Sequence, residues 1–277
     1  MASRKEQKEQ ARAKRLEQER LAAAKAQRTR RIQIFGGIVV AAVVVIVVAI
    51  VISTSGGGGS SGLQQGSSAK GTYASVNKLL HGIPQDGVTL GNPHAKVTMT
   101  YFGDLQCPIC RAFTLGPAFP KFIQDQVRTG NVKVKYRSFC TASCNNQSFG
   151  SAQAAQGVFN KQQVAAYAAG KQQRFWDYAE LFYHEQGTED TSYVNADYLE
   201  GLANQIPGFN VARWKADRNN SALLSQVQTD EQAASTQGLN GTPTLIMTGS
   251  KGSEQVSGSG GALPNYDELA AAVQQVQ

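Results

Sequence analysis

The sequence has few histidines, and outside its first 31 residues it has no excess of charge of either sign. Its three histidines, His81, His94 and His184, are scattered and predict no metal site. The net charge is +7, but residues 1–31 hold 11 Lys and Arg against 4 Asp and Glu. The other residues hold 16 basic and 16 acidic side chains. The main body therefore lacks the basic surface typical of proteins that bind nucleic acid, and we predict no nucleic-acid partner.

No charged residue interrupts the 19 apolar residues from Ile34 to Ile52. A helix of that length reaches about 28 Å, close to the thickness of a bilayer's hydrocarbon core. We predict a transmembrane helix within residues 32–53, with the lipid bilayer as a partner. Two alternatives remain: a cleaved signal peptide, whose apolar region is usually shorter, and a buried core helix, which usually carries a polar stripe.

Basic residues flank this apolar run on one side only. Arg28, Arg30 and Arg31 precede it, and the next basic residue after it is Lys70. Positive residues favour the cytoplasmic side. We therefore predict a basic cytoplasmic tail over residues 1–31, and a single-pass protein of the cell membrane whose remaining residues are extracytoplasmic.

Glycine and serine dominate residues 54–71, which predicts a flexible linker because such a segment buries little apolar surface. Residues 72–277 then alternate between strand-like and helix-like patterns. The predicted strands are Val97–Phe102, Val132–Arg137, Thr244–Thr248 and a short one near Val256. A helix is predicted from Cys110 to Val127, in which Pro117 and Pro120 favour a kink or a break. An all-helical insertion is predicted over about residues 146–237, and a closing helix around Tyr266–Val273. The predicted fold class is an α/β sheet interrupted by helices.

The four cysteines form two close pairs, and all follow the apolar run, in what we predict to be an oxidising space. Cys107 and Cys110, with Pro108 after the first, lie where a predicted strand ends and a helix begins. A helix N-terminus stabilises a thiolate, so we predict an exposed, acidic Cys107 and a sheltered Cys110. A redox-active pair is favoured over a purely structural disulfide and over a zinc site shared with Cys140 and Cys144.

The segment from Phe102 to Phe113 resembles the active-site segment of the DsbA-like thiol–disulfide oxidoreductases, particularly their membrane-tethered bacterial members. The resemblance runs from Gly87 to the C-terminus and includes four further segments: Gly91–Ala95, Phe175–Trp176, Leu181–Phe182 and Gly238–Thr244. It implies a thioredoxin-like fold with a helical insertion. It also implies a cis-proline at Pro243, with Thr242 and Pro243 lying against Cys107 and the Thr242 backbone binding an extended substrate peptide.

Two further features have more than one interpretation. Cys140 and Cys144, four residues apart, are predicted to form a second disulfide, which is either structural or a shuttle for oxidising equivalents. Asp104 is predicted either to assist proton transfer at Cys110 or to shape the turn before Cys107. Ile109 adds no positive charge, so stabilisation of the thiolate depends on the helix end.

These features predict an extracytoplasmic oxidase that introduces disulfides into reduced, unfolded exported proteins through Cys107 and Cys110, without a cofactor. The resemblance implies that a quinone-linked membrane partner reoxidises the pair. One alternative is a reductase or isomerase whose cysteines rest as a dithiol. Another is a non-catalytic module that binds peptides as a chaperone does.

Overall fold

The computed structural model describes residues 62–277. The predicted basic tail, the predicted transmembrane helix at 32–53 and the first part of the predicted linker lie outside these residues. Within residues 62–277, no helix combines the length and apolar character that crossing a bilayer requires.

The described chain contains both helices and strands. The helices are α1 (Gly66–Leu80), α2 (Pro108–Leu115), α3 (Ala118–Phe122), α4 (Ala142–Asn145), α5 (Ala152–Gly170), α6 (Phe175–His184), α7 (Ala196–Asn204), α8 (Val211–Asp217), α9 (Ser221–Thr236) and α10 (Tyr266–Val276). The strands are β1 (Gln85–Asp86), β2 (Thr89–Leu90), β3 (Val97–Gly103), β4 (Val132–Ser138), β5 (Thr244–Gly249) and β6 (Gly252–Val256). A π-helical turn, Ile123–Val127, extends α3, and two short 3-10 turns cover Gln147–Phe149 and Ser259–Gly261.

The six strands form one sheet in the order β1-β2-β4-β3-β5-β6. β3 and β4 are parallel, and every other neighbouring pair in this sheet is antiparallel. Phe102, near the end of β3, pairs with Thr244 at the start of β5. The segment that follows β3 and the segment that precedes β5 therefore meet at the same edge of the sheet, and this edge carries the candidate site.

Aromatic side chains fill the core between the sheet and the helices. The ring of Tyr101 on β3 lies 5.5 Å from Phe113, 6.0 Å from Phe119 and 5.6 Å from Tyr136, measured between centroids. Tyr101 and Tyr136 are fully buried because alternate residues of β3 and β4 point to this face of the sheet. The helices α4 to α9 form the insertion between β4 and β5, and the predicted thioredoxin-like fold with a helical insertion is confirmed.

The helix predicted from Cys110 to Val127 is interrupted. α2 ends at Leu115, and α3 starts at Ala118 after an extended Gly116 with φ −73° and ψ 175°. Pro117 explains the break, because proline disfavours a helical conformation at the residue before it and supplies no backbone N–H.

The linker predicted at residues 54–71 was too long. Residues 66–71 form the first turns of α1, and the preceding residues contact the helical insertion. The backbone N–H of Gln64 donates to the carboxylate of Glu185 at 2.7 Å, and Leu63 packs against Gly201 of α7. Further along α1, the hydroxyl of Tyr73 donates to Asp177 at 3.1 Å. These tertiary contacts outweigh the weak helix propensity of the Gly- and Ser-rich sequence.

Candidate active site

Cys107 occupies the N-cap position of α2. Its Sγ accepts a hydrogen bond from the backbone N–H of Cys110 at 3.3 Å, and its carbonyl accepts from the N–H of Arg111 at 3.1 Å. Pro108 takes the first helical position, where the missing N–H would have had no partner within the helix. The short C-P-I-C segment thus places one sulfur at the positive end of the helix dipole.

The structure buries Cys107 more deeply than the sequence predicts. Cys107 is 5% exposed and Cys110 is fully buried. The expected difference in exposure between the two cysteines is present, but the sulfur of Cys107 does not face water openly. Ile109, which lies between the two cysteines in sequence, is 38% exposed. It is the most exposed large apolar side chain of residues 62–277. Access to Cys107 is therefore narrow, with an apolar side chain beside it.

The loop before β5 covers Cys107. The Thr242–Pro243 peptide bond is cis, and the Sγ of Cys107 donates to the carbonyl oxygen of Thr242 at 3.5 Å. The hydroxyl of Thr242 lies 2.5 Å from that of Thr141, in the loop after β4. Cys107, Cys110 and Thr242 are thus brought together although they come from two parts of the chain more than a hundred residues apart.

The two thiols differ in acidity. Hydrogen bonds from the Cys110 side chain, the Thr242 side-chain hydroxyl and the Cys110 backbone N–H lower the pKa of Cys107, although its burial opposes them. Burial raises the pKa of Cys110 well above its ordinary value, and the neighbouring Cys107 raises it further. We therefore predict that Cys107 is the nucleophile of the reduced pair and that Cys110 keeps its proton.

We expect iodoacetamide to modify Cys107 at least about tenfold faster than Cys110 in the reduced protein near neutral pH. The thiolate is the reacting form, and each unit of difference in pKa changes its population tenfold. Mass spectrometry of the modified peptides measures both rates, and a pH–rate profile locates the Cys107 midpoint below that of an ordinary thiol. The Cys107→Ser variant isolates the slow reaction of Cys110. Two equal, slow rates would contradict the assignment.

The carboxylate of Asp104 is fully buried and accepts five hydrogen bonds. Its Oδ2 accepts from the backbone N–H groups of Thr141 at 3.1 Å and Ser143 at 2.8 Å. Its Oδ1 accepts from the Ser143 hydroxyl at 2.6 Å, the Gln106 N–H at 3.0 Å and the Gln162 amide at 3.1 Å. Burial raises the pKa of Asp104, and these hydrogen bonds oppose the increase.

The backbone of Asp104 acts on both cysteines. Its carbonyl accepts from the N–H of Cys107 at 3.0 Å, and hydrogen bonding from its backbone partly offsets the raised pKa of Cys110. These contacts account for the turn-shaping role considered for Asp104, while its role in proton transfer remains a prediction. Sequence reasoning did not identify Ser143, Gln106 or Gln162. They come from separate segments, and their spacing carries no signal.

Cys140 and Cys144 form a disulfide. Both sulfurs belong to partly exposed residues, whereas Ser143 between them is buried. The zinc alternative required all four cysteines as separate thiolates, and two of them are bonded to each other. In the part of the chain that the structure describes, no three His, Cys, Asp or Glu side chains are grouped to hold a metal ion.

A family model described as Thioredoxin matches residues 84–262, well over half of the chain. The matched range contains the strand before Cys107, both cysteine pairs, the helical insertion and the loop that carries Pro243. The family match therefore covers every residue of the candidate site.

One relative and two solved structures illustrate the similarity. The disulfide bond formation protein D of Bacillus subtilis (strain 168) is 28% identical over 160 residues, 57% of this chain and 66% of that protein, slightly under two thirds of its length. The crystal structure of oxidised BdbD from B. subtilis aligns over 70% of this chain and 96% of its own, with TM-score 0.55 and 21% identity. Wolbachia pipientis alpha-DsbA1 aligns over 73% and 95%, with TM-score 0.52 and 16% identity. At these identities the two structures support the fold.

Proposed function

Because the chain belongs to the thioredoxin family, we propose that it is a protein disulfide oxidoreductase that introduces disulfide bonds into exported proteins through Cys107 and Cys110. The observation that carries the proposal is the unequal pair at the start of α2. The Sγ of Cys107 accepts the Cys110 N–H at 3.3 Å, whereas Cys110 lies fully buried behind it. The name of the B. subtilis relative, a disulfide bond formation protein, supports the same activity.

The reaction starts from a Cys107–Cys110 disulfide. A substrate thiolate attacks the Sγ of Cys107, so that a substrate–Cys107 bond forms and the Cys107–Cys110 bond breaks. Cys110 leaves with the electron pair and takes up a proton. A second substrate thiolate then attacks the substrate sulfur of the mixed disulfide and releases Cys107 as a thiolate. The substrate has lost two electrons, and the enzyme has gained them as a dithiol.

The difference in acidity favours this direction. The lowered pKa of Cys107 makes it a good leaving group in the second step, because a more acidic thiol leaves faster. The raised pKa of Cys110 keeps that residue protonated after the first step. A protonated Cys110 attacks the mixed disulfide slowly, and the substrate's own second cysteine has time to complete the exchange.

Thr242 and Pro243 are proposed to guide the substrate. The carbonyl oxygen of Thr242 is 3.5 Å from the Sγ of Cys107, so a peptide whose cysteine is bonded to Cys107 must pass beside it. Backbone groups at this position bind an extended peptide without reading its sequence, as in strand addition. Ile109, two residues after Cys107, adds an exposed apolar side chain. This arrangement suits unfolded substrates of varied sequence.

The proposed setting is the outer face of the cell membrane, with the catalytic domain anchored through residues 32–53. Each turnover leaves the pair as a dithiol, so a separate oxidant must restore the disulfide. We propose a quinone-linked membrane protein for that role, the class of partner that the DsbA-like resemblance implies. Asp104, a fully buried carboxyl three residues before Cys107, is proposed to assist proton uptake at Cys110.

The test mixes the oxidised protein with reduced, unfolded ribonuclease. We expect the ribonuclease to gain disulfides and activity as the Cys107–Cys110 disulfide is consumed, and we expect trapped cells to contain mainly the oxidised pair. A pair that rests as a dithiol in cells would instead support the reductase or isomerase. A variant that lacks both Cys107 and Cys110 is the control. If that variant still complemented cells that lack the protein, the non-catalytic peptide-binding module would be supported instead.

A further inference from the structure

We infer that Asp104 is a positioning residue that couples the Cys140–Cys144 disulfide to the catalytic pair, so that the closed loop sets the redox equilibrium of Cys107 and Cys110. The inference rests on the proposed redox role of that pair. In this role the second disulfide does more than stabilise the fold, but it does not itself exchange electrons with the catalytic pair.

The first step is the shape of the closed loop. The disulfide joins Cys140 to Cys144 and leaves only three residues between them. Within this small ring, the N–H groups of Thr141 and Ser143 point to the same oxygen of Asp104, at 3.1 and 2.8 Å. Two N–H groups two residues apart converge on one atom only if the backbone between them stays bent. Closure by the disulfide maintains that bend, and opening it releases both donors.

The second step is the position of Asp104. The same residue that receives the loop donors also accepts the N–H of Cys107 at its carbonyl oxygen, at 3.0 Å. Its Oδ1 also accepts the N–H of Gln106 at 3.0 Å, which fixes the turn that leads into Cys107. A change at the carboxylate is therefore transmitted directly to the backbone that leads into Cys107 at the start of α2.

The third step is a set of side-chain contacts around the same loop. The Ser143 hydroxyl accepts from the amides of Gln106 at 3.0 Å and Gln162 at 2.8 Å. The Thr141 hydroxyl lies 2.5 Å from the hydroxyl of Thr242, in the loop that covers Cys107. The loop therefore contacts the segment before the nucleophile and the segment that covers it. A buried network of this kind moves as a unit.

The sign of the coupling follows from charge. The carboxylate of Asp104 is buried, and its negative charge opposes a thiolate on Cys107, raising the pKa of that thiol. Hydrogen bonds from the loop offset part of this charge. When the loop opens while Asp104 is ionised, this charge is less compensated, and the Cys107 thiolate is destabilised. The reduced pair then becomes less stable relative to the disulfide, and the protein becomes a weaker oxidant.

The experiment compares the full chain with its Cys140→Ser/Cys144→Ser variant, each in glutathione buffers. Mass spectrometry of the peptide that carries Cys107 and Cys110 reports the state of that pair alone, and thiolate absorbance reports the Cys107 pKa. We expect a higher Cys107 pKa and an equilibrium shifted toward the Cys107–Cys110 disulfide by about threefold or more, within the range for groups in one hydrogen-bond network. In an Asp104→Asn background, the same two substitutions should have no effect.

A second variant covers the case in which the open loop destabilises the whole domain. Ser143→Ala keeps the disulfide and removes the hydroxyl that donates to Asp104 and accepts from Gln106 and Gln162, so it should shift both readouts in the same direction by a smaller factor. Ser148→Ala, at an exposed position just outside the ring, is the matched control and should change neither.

Two results would overturn the coupling. One is a Cys140→Ser/Cys144→Ser variant with a lower melting temperature and an unchanged glutathione equilibrium, which would mean that the disulfide only stabilises the fold. The other is an equal shift in the Asp104→Asn background, which means that Asp104 does not transmit the effect. A wild-type chain whose Cys107 and Cys110 exchange no disulfides with glutathione would instead refute the proposed function itself.

Discussion

Replacing Cys107 with serine is expected to lower disulfide transfer to reduced ribonuclease by more than about a thousandfold, the order of loss seen when a nucleophile is removed. The serine hydroxyl forms no disulfide, and Cys110 is fully buried and keeps its proton. Stopped assays of ribonuclease activity and of enzyme thiols measure the loss. Circular dichroism should be unchanged, because serine is nearly isosteric with cysteine at this nearly buried position.

The contrast with Cys110→Ser tests the order of events. That variant keeps the acidic Cys107, which still forms a mixed disulfide with a disulfide-containing peptide, but it lacks the resolving sulfur. We expect a long-lived adduct that runs as a larger species on non-reducing gels and disappears with dithiothreitol. If Cys107→Ser accumulated the adduct and Cys110→Ser did not, the roles of the two sulfurs would be reversed.

The wild-type protein is expected to lose much of its stability as the pH rises from mildly acidic to mildly alkaline values, and replacing Glu180 with glutamine is expected to remove most of that loss. Glu180 on α6 is 1% exposed, and its Oε1 has no hydrogen-bond partner among residues 62–277. Burial, with a smaller contribution from Asp177 one turn earlier, raises the pKa of Glu180 from about 4.5 to about 8. The folded chain therefore holds this carboxyl protonated near neutral pH, whereas the unfolded chain ionises it.

The direction follows from counting protons. Between about pH 4.5 and pH 8 the unfolded state binds fewer protons at Glu180 than the folded state does, so the free energy of unfolding falls as the pH rises. Below this interval the stability from the neutral carboxyl is fully present, and above it the loss is complete. At about 1.4 kcal/mol per pKa unit, the loss reaches at most about 5 kcal/mol.

Urea unfolding at several pH values measures this loss in the wild type and in Glu180→Gln. The glutamine variant should lose much less stability across the interval and should be more stable than the wild type near pH 8 by about 3 kcal/mol or more. Glu200→Gln, the same chemical change at a half-exposed site, should leave the wild-type loss in place. A Glu180→Gln variant whose stability falls as steeply as that of the wild type would show that another group is responsible.

The regular elements near the site were predictable because their signals are local. The three long strands β3, β4 and β5 each extend one residue beyond the predicted bounds, since β-branched and aromatic alternation between turn residues is sufficient for a strand. The break after α2 follows from Pro117 in the same way. The short strands β1 and β2 were missed, because two residues each carry no periodic pattern.

The start of the domain was not predictable from composition. Residues 66–71 are rich in glycine and serine, and only contacts with the helical insertion, such as that of Gln64 with Glu185, explain why the chain is ordered there. The burial of Cys107 was missed for a similar reason. The loop that covers it approaches from Thr242, which lies 135 residues away in sequence.

The amino-acid sequence alone determined the placement of Cys107 at the beginning of a helix, because the N-cap, the proline after it and the second cysteine one turn later are all local features. Only the tertiary structure decided the surroundings of that sulfur. The Thr242 carbonyl and the hydrogen bonds that join Asp104 to the 140–144 loop bring together segments that are far apart in sequence. Such contacts depend on how the sheet and the inserted helices pack, and no short stretch of sequence specifies that packing.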